Sequence, residues 1–166
     1  MLVNTRPRVL CVDDDEDSRA MLVTLLKRAF VEAKAVGSAA QALSLIRAEQ
    51  FDLYMLDSRL PEIDGFELCR QLRAVDSHIP ILFFSGAADV ADKEKGTAAG
   101  ADAYVVKPDI DELLGVIERF TSRMGRAFFR QIPWAEERPG FDLAMHAHGS
   151  VRKPQWKSAQ LSLVSK

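Results

Sequence analysis

The chain has 166 residues, 48% of them hydrophobic, enough for one domain with a buried core and a short appendage. A formal net charge of -2 argues for neither nucleic acid nor a membrane surface as partner, and no apolar run approaches the roughly 20 residues of a transmembrane helix. The two cysteines, Cys11 and Cys69, each sit inside an apolar pattern, which favours buried thiols in a reducing cytoplasm over a disulfide.

Residues 1–8 are polar and basic, and the apolar run that follows is too short for a signal-peptide core. That run, Val9-Leu10-Cys11-Val12, stops abruptly at Asp13-Asp14-Asp15, as expected of a strand buried on both faces. Leu22, Leu25, Leu26 and Ala29 recur at helical spacing and give a first helix with one buried stripe. A weak strand around residues 34–36 leads to Gly37-Ser38, and Ser38 is placed to cap a second helix with the stripe Ala39, Ala42, Leu43 and Ile46. Leu53-Tyr54-Met55-Leu56 is the next buried strand and ends at Asp57. Residues 61–65 read as a loop, after which Leu68, Cys69, Leu72 and Val75 mark a third helix. Pro80 opens the strand Ile81-Leu82-Phe83-Phe84, which ends at Ser85-Gly86. Residues 89–99 make a poor fourth helix, since their apolar side chains are small and Gly96 costs about 1 kcal/mol against Ala. Ala103-Tyr104-Val105-Val106 is the last strand, ending at Lys107-Pro108, and Ile110, Leu113, Ile117, Phe120 and Met124 line a fifth helix.

Alternation of short apolar strands with amphipathic helices predicts an α/β fold, a doubly wound five-stranded parallel sheet with helices on both faces. Such sheets bind ligands beyond the carboxyl ends of their strands, at a topological switch point. The strand ends here carry Asp13-Asp14, Asp57, Ser85 and Lys107. Singly, each has an ordinary reading as a solvated loop, a turn or a helix start, where Asp is favoured anyway. Chance rarely puts all of them on one sheet edge.

The chemistry of that set is specific. Carboxylates at close range disfavour one another's charged forms unless a cation joins them. Mg²⁺ prefers oxygen ligands and takes one or two carboxylates together with phosphate oxygens. A carboxylate beside it is a competent nucleophile toward phosphorus. Phosphoryl transfer then needs positive charge and donors at the equatorial oxygens, which Lys107 and the Ser85 hydroxyl can supply. The set therefore suffices to form and hold an aspartyl phosphate, with no obvious general base to hydrolyse it quickly.

At this point the motifs Val9-Leu10-Cys11-Val12-Asp13-Asp14-Asp15, Leu56-Asp57-Ser58-Arg59-Leu60-Pro61-Glu62-Ile63-Asp64-Gly65-Phe66-Glu67, Phe84-Ser85-Gly86-Ala87 and Ala99-Gly100-Ala101-Asp102-Ala103-Tyr104-Val105-Val106-Lys107-Pro108 resemble, in order and spacing, the receiver domains of two-component response regulators, chemotaxis regulators among them. The resemblance covers roughly residues 7–124 and implies the flavodoxin-like (βα)5 fold. It also implies roles. Asp57 would be the phosphoacceptor. Asp14, Asp57 and the backbone carbonyl of Arg59 would ligate Mg²⁺, with Asp13 assisting through a water. Lys107 would pair with the phosphoryl group. Ser85 would turn toward it on activation, and Tyr104 would be the switch aromatic that moves inward behind it. The Lys107–Pro108 peptide is expected to be cis. A histidine kinase or a histidine phosphotransfer protein would be the phosphodonor, docking against the first helix, and a downstream protein the target. A homodimer is compatible with this.

Three features stand out against the family pattern. Asp109 stands where an apolar residue is common, which puts the start of the last helix in question. The fourth helix has few apolar anchors, as fits a marginal switching element. Arg59 and Ala87 stand at positions that influence how long the phosphate lasts, and the Arg59 side chain is expected to shield it.

Charge also divides the chain near Gly125: residues 1–124 carry 15 Lys/Arg and 21 Asp/Glu, residues 125–166 carry 7 and 3. Residues 125–166 are therefore read as a C-terminal extension, too short for the usual DNA-binding output domain. Phe128, Phe129, Ile132 and Trp134 are expected to extend the last helix and pack back on the domain, at least in part, with a docking segment as the alternative. His146 and His148 are too close for a metal site, and Arg152, Lys153, Trp156 and Lys157 read as a solvated tail. Two other functions compete with the switch. Phosphatases of the haloacid-dehalogenase type also use Asp and Mg²⁺, but in a pattern Asp-x-Asp-x-Thr/Val that Asp13-x-Asp15-x-Asp17 does not meet. A degenerate receiver acting as a constitutive interaction module would not need the intact site residues.

Overall fold

Each apolar run becomes a strand because helices cover both of its faces. In the computed structural model, which describes residues 6–121, the order is β1 (Arg8–Val12), α1 (Glu16–Arg28), β2 (Glu32–Val36), α2 (Ala39–Ala48), β3 (Leu53–Leu56), α3 (Gly65–Val75), β4 (Ile81–Ser85), α4 (Val90–Ala98), β5 (Ala103–Val106) and α5 (Ile110–Thr121). All pairings are parallel, in the order β2-β1-β3-β4-β5. This is the doubly wound five-stranded parallel sheet expected from the alternation, in the flavodoxin-like order that the resemblance implied.

Strand side chains alternate between two cores. Val9, Cys11, Leu53, Met55, Phe84 and Val105 point to the side covered by α1 and α5, among Leu22, Leu26, Leu113 and Ile117. Leu10, Val12, Tyr54, Leu56 and Phe83 point to the other side, among Ala42, Phe66, Leu68, Leu72 and Ala99. Both cysteines are buried and unpaired, as anticipated, and burial pushes the Cys69 thiol up to about 11.

The helix starts follow local chemistry. Asp15, Ser38 and Asp64 each accept a hydrogen bond from the backbone N–H three residues on. Asp109, the departure noted above, does the same for α5: its Oδ1 accepts from the Glu112 N–H at 2.9 Å. Position 109 is thus a cap, and α5 begins at Ile110. Two expectations need correction. The second strand starts at Glu32, two residues earlier than its weak pattern indicated, because it is an edge strand whose residues are exposed or half-buried. Val75, expected on the buried stripe of α3, is 68% exposed as the final residue of that helix, so the stripe ends at Leu72. The fourth helix is as weakly anchored as expected. Its cap residue Asp89 makes no side-chain capping bond, Val90 is 61% exposed, and Gly96 alone is buried.

Arg73 ties α3 to the β4–β5 side of the sheet. Its guanidinium donates to the carbonyl oxygens of Gly100 at 2.8 Å and Ile79 at 2.5 Å and pairs with Asp102, which also accepts from the Ile81 N–H at 2.9 Å. The Lys107–Pro108 peptide is cis, as anticipated. Met124, the boundary near residue 124 and every expectation about the extension lie outside the described residues.

Candidate functional site

The chain leaves β1 for α1 on one face of the sheet and leaves β3 for α3 on the other. The two loops diverge at that switch point and leave a crevice between the ends of β1 and β3. Asp13 follows β1 and Asp57 follows β3. Ser85 ends β4 and Lys107 follows β5. The structure brings these four side chains together.

Lys107 Nζ lies 2.6 Å from Asp13 Oδ2 and 2.7 Å from Asp57 Oδ2. The Asp13 and Asp57 side chains are only 3% and 11% exposed, so the ammonium neutralises two nearly buried carboxylates at once. Burial alone would lower the Lys107 pKa, but the hydrogen bonds and charges of Asp13 and Asp57 together carry it above its ordinary value. The other oxygen, Asp57 Oδ1, accepts from the Arg59 N–H at 2.9 Å and from Ser85 Oγ at 2.8 Å.

Two expected members stand differently. Asp14 is exposed at the rim, and its backbone carbonyl, not its carboxylate, is engaged. The Arg59 side chain is exposed, and its backbone N–H is what reaches Asp57. Among the described residues, no three His, Cys, Asp or Glu side chains converge in one place. The donor set nevertheless fits a hard divalent cation: carboxylate oxygens at the end of β1 and at the end of β3, one of them solvent-facing.

Tyr104 lies over α4 with its phenol turned into the site. Its ring stacks on Phe83 at 5.5 Å between centroids, and its hydroxyl donates to the Ala87 carbonyl at 2.9 Å. Burial raises the phenol's pKa against the smaller opposing pull of the Ser58 and Ser85 hydroxyls beside it. Ser85 thus reaches the unmodified Asp57 carboxylate directly, and the Tyr104 hydroxyl is engaged by the backbone two residues beyond Ser85.

Four supporting residues escaped the sequence. Arg19 Nη1 donates to the carbonyls of both Asp13 and Asp14, at 2.8 Å each, and so fixes the acidic loop. Ser58, 4% exposed, bonds Ser85 Oγ at 2.7 Å. Gly65 lets the start of α3 press on the Asp57 backbone, where a Cβ would lie 2.0 Å from the Asp57 carbonyl oxygen. Gly96 faces Tyr104 and Phe83, where a Cβ would lie 3.0 and 3.2 Å from their rings. A signal existed only for Ser58, a polar residue directly after a buried strand.

Comparison with known proteins places the chain in a family. The family model described as the response regulator receiver domain matches residues 9–118. The DNA-binding response regulator MtrA of Mycolicibacterium smegmatis is 40% identical over 103 residues, 62% of this chain and 45% of that protein. The chain therefore spans about half the length of the relatives it matches. Among solved structures, the BeF3-activated receiver domain of DrrB, a Thermotoga maritima protein, is 28% identical with a TM-score of 0.66, covering 72% of this chain and 100% of that one. The chemotaxis response regulator CheY4 of Vibrio cholerae is 29% identical with a TM-score of 0.65, covering 70% and 99%.

Proposed function

The chain belongs to the response-regulator receiver family of two-component signalling, and on that premise we propose that it accepts a phosphoryl group on Asp57 and reports the event through a protein-binding surface. One observation carries the proposal: Asp57 stands at the switch point with both carboxylate oxygens held, one by Lys107 and the other by Ser85 and the Arg59 N–H. In the transfer, an Asp57 oxygen forms a bond to phosphorus while the bond from phosphorus to the donor's nitrogen or oxygen breaks, and the donor keeps that electron pair. Lys107 and Ser85 need only follow the transferred oxygens. Asp14, Asp57 and the Arg59 carbonyl would hold Mg²⁺, with Asp13 through a water, and the cation would add positive charge at the phosphoryl oxygens.

The family match over residues 9–118 supports a receiver spanning residues 7–124, with 125–166 as an extension. A histidine kinase or histidine phosphotransfer protein is the proposed donor, docking near α1, where Met21 is 46% exposed. Output passes through α4 and β5, which Tyr104 and Gly96 join. Among the described residues, no helix is long and apolar enough to cross a membrane.

The test is incubation of the full chain with Mg²⁺ and acetyl phosphate, followed by intact mass. A single phosphate adduct that requires Mg²⁺ and disappears in Asp57→Asn is expected. No adduct from acetyl phosphate or from any of a panel of histidine kinases would transfer support to the constitutive interaction module. The same assay reads Arg59. Its exposed side chain two residues beyond the acceptor is expected to shield the phosphoryl group, so Arg59→Asn should shorten the adduct's half-life several-fold, about 1 kcal/mol of barrier. An unchanged half-life would mean that Arg59 points to solvent.

A further inference from the structure

Counting protons around Ser85 shows how its hydroxyl is aimed. A serine hydroxyl has one proton to donate and two lone pairs. Asp57 Oδ1 is a carboxylate oxygen and can only accept, so the 2.8 Å contact uses the Ser85 proton. The Ser58–Ser85 contact at 2.7 Å must then run the other way, with Ser58 as donor. The Ala87 N–H, at 3.3 Å, takes the second lone pair. Every bond around Ser85 Oγ therefore has one direction, and the chain of hydroxyls ends on Asp57.

The arrangement has consequences beyond Ser85. The Ala87 backbone that donates to Ser85 also accepts, through its carbonyl, from the Tyr104 hydroxyl. The Ser58 and Ser85 hydroxyls are near enough to the Tyr104 phenol to oppose the rise that burial gives its pKa. Gly96 leaves room for its ring. Ser58 is 4% exposed and Ser85 is 0% exposed, so water is a poor substitute for either hydroxyl.

We propose that Ser58 is a positioning residue: its hydroxyl donates to Ser85, fills one of the Ser85 lone pairs so that the Ser85 proton is directed at Asp57, and thereby biases Tyr104 toward its inward position before any phosphoryl group is bound. The proposal rests on the reading of Asp57 as the phosphoacceptor and concerns the regulation of that site. It makes this chain a receiver whose resting population leans toward the signalling arrangement, with phosphorylation completing the shift.

The test uses the full chain labelled with 3-fluorotyrosine, in which Tyr104→Phe identifies the Tyr104 fluorine resonance. In Ser58→Ala, the unphosphorylated protein is expected to show that resonance displaced toward the solvent-exposed value, with the inward population reduced about fivefold, the effect of one net hydrogen bond. Ser58→Thr, which restores the hydroxyl, should return it to the parent position. A Tyr104 resonance unmoved by Ser58→Ala would overturn the proposal, and so would a Thr variant displaced as far as the Ala one. Should the Ala variant melt below the assay temperature, Ser58→Cys keeps the volume with a weaker donor, and an unmoved resonance there is equally fatal. Acetyl phosphate is then added to the same samples with Mg²⁺. Failure of the parent chain to form an adduct here and with the panel of histidine kinases would overturn the phosphoacceptor reading, while the resting resonances still decide the role of Ser58.

Discussion

Lys107→Ala is expected to destabilise the domain by about 3 kcal/mol in metal-free buffer and to slow phosphoryl acceptance about a hundredfold. The ammonium is the shared partner of Asp13 and Asp57, and both carboxylates are nearly buried. Its removal leaves two like charges facing each other in a medium that solvates neither well. Part of the loss should return when Mg²⁺ is added, because a divalent cation can take over the neutralisation of Asp57. Urea denaturation of variant and parent, with EDTA and with Mg²⁺, measures the first effect. Intact mass against time with acetyl phosphate measures the second. Identical urea midpoints in EDTA would show that the ammonium does not hold the acidic pair together. A drop that Mg²⁺ leaves untouched would locate the damage away from the charges.

Gly65→Ala is the other change with a large expected cost. The added Cβ would meet the Asp57 carbonyl oxygen at 2.0 Å, and the Asp57 carbonyl carbon and Ser58 Cα at 2.9 Å. These are backbone atoms of the segment carrying the acceptor, so no flexible side chain can yield. The Gly65 N–H also donates to the Ser58 carbonyl at 2.9 Å, and any retreat of α3 stretches that bond. Relief requires moving either the start of α3 or Asp57 itself, at about 3 kcal/mol. Displacement of the nucleophile should also slow acceptance from acetyl phosphate by an order of magnitude or more. Gly115 in α5 offers a contrast, since a Cβ there meets nothing within 4 Å. Gly115→Ala should stabilise the protein by up to about 1 kcal/mol. Thermal or urea melts that move both variants in the same direction would refute the close-contact argument.

The strands were legible wherever burial on both faces made the apolar run continuous. β3 and β5 occur at the expected residues, and β1 and β4 differ by one. β2 was legible only in part, because an edge strand with exposed and half-buried residues carries no such run. The acidic loop, Asp57, Ser85 and Lys107 could be placed together because each ends or follows a strand, and parallel strands bring their carboxyl ends to one edge. Their supports could not be found that way. Ser58 finds Ser85 across 27 positions, and Gly65 matters only because α3 returns to the Asp57 backbone. Gly96 read as a defect in a helix. In three dimensions it is the space that Tyr104 and Phe83 fill. Periodicity reports which face of an element is covered. It carries no information about which residue covers it.

The two cores share the strands but no side chains. The proposed donor surface on α1 rests on the core beneath α1 and α5, whereas Tyr104, Phe83 and Phe66 belong to the opposite core. A substitution that reshapes one side need not propagate through the sheet to the other. If the donor docks on α1 and the output leaves through α4 and β5, a substitution that retunes one conversation is expected to leave the other intact, the two meeting at the row of polar side chains along one edge.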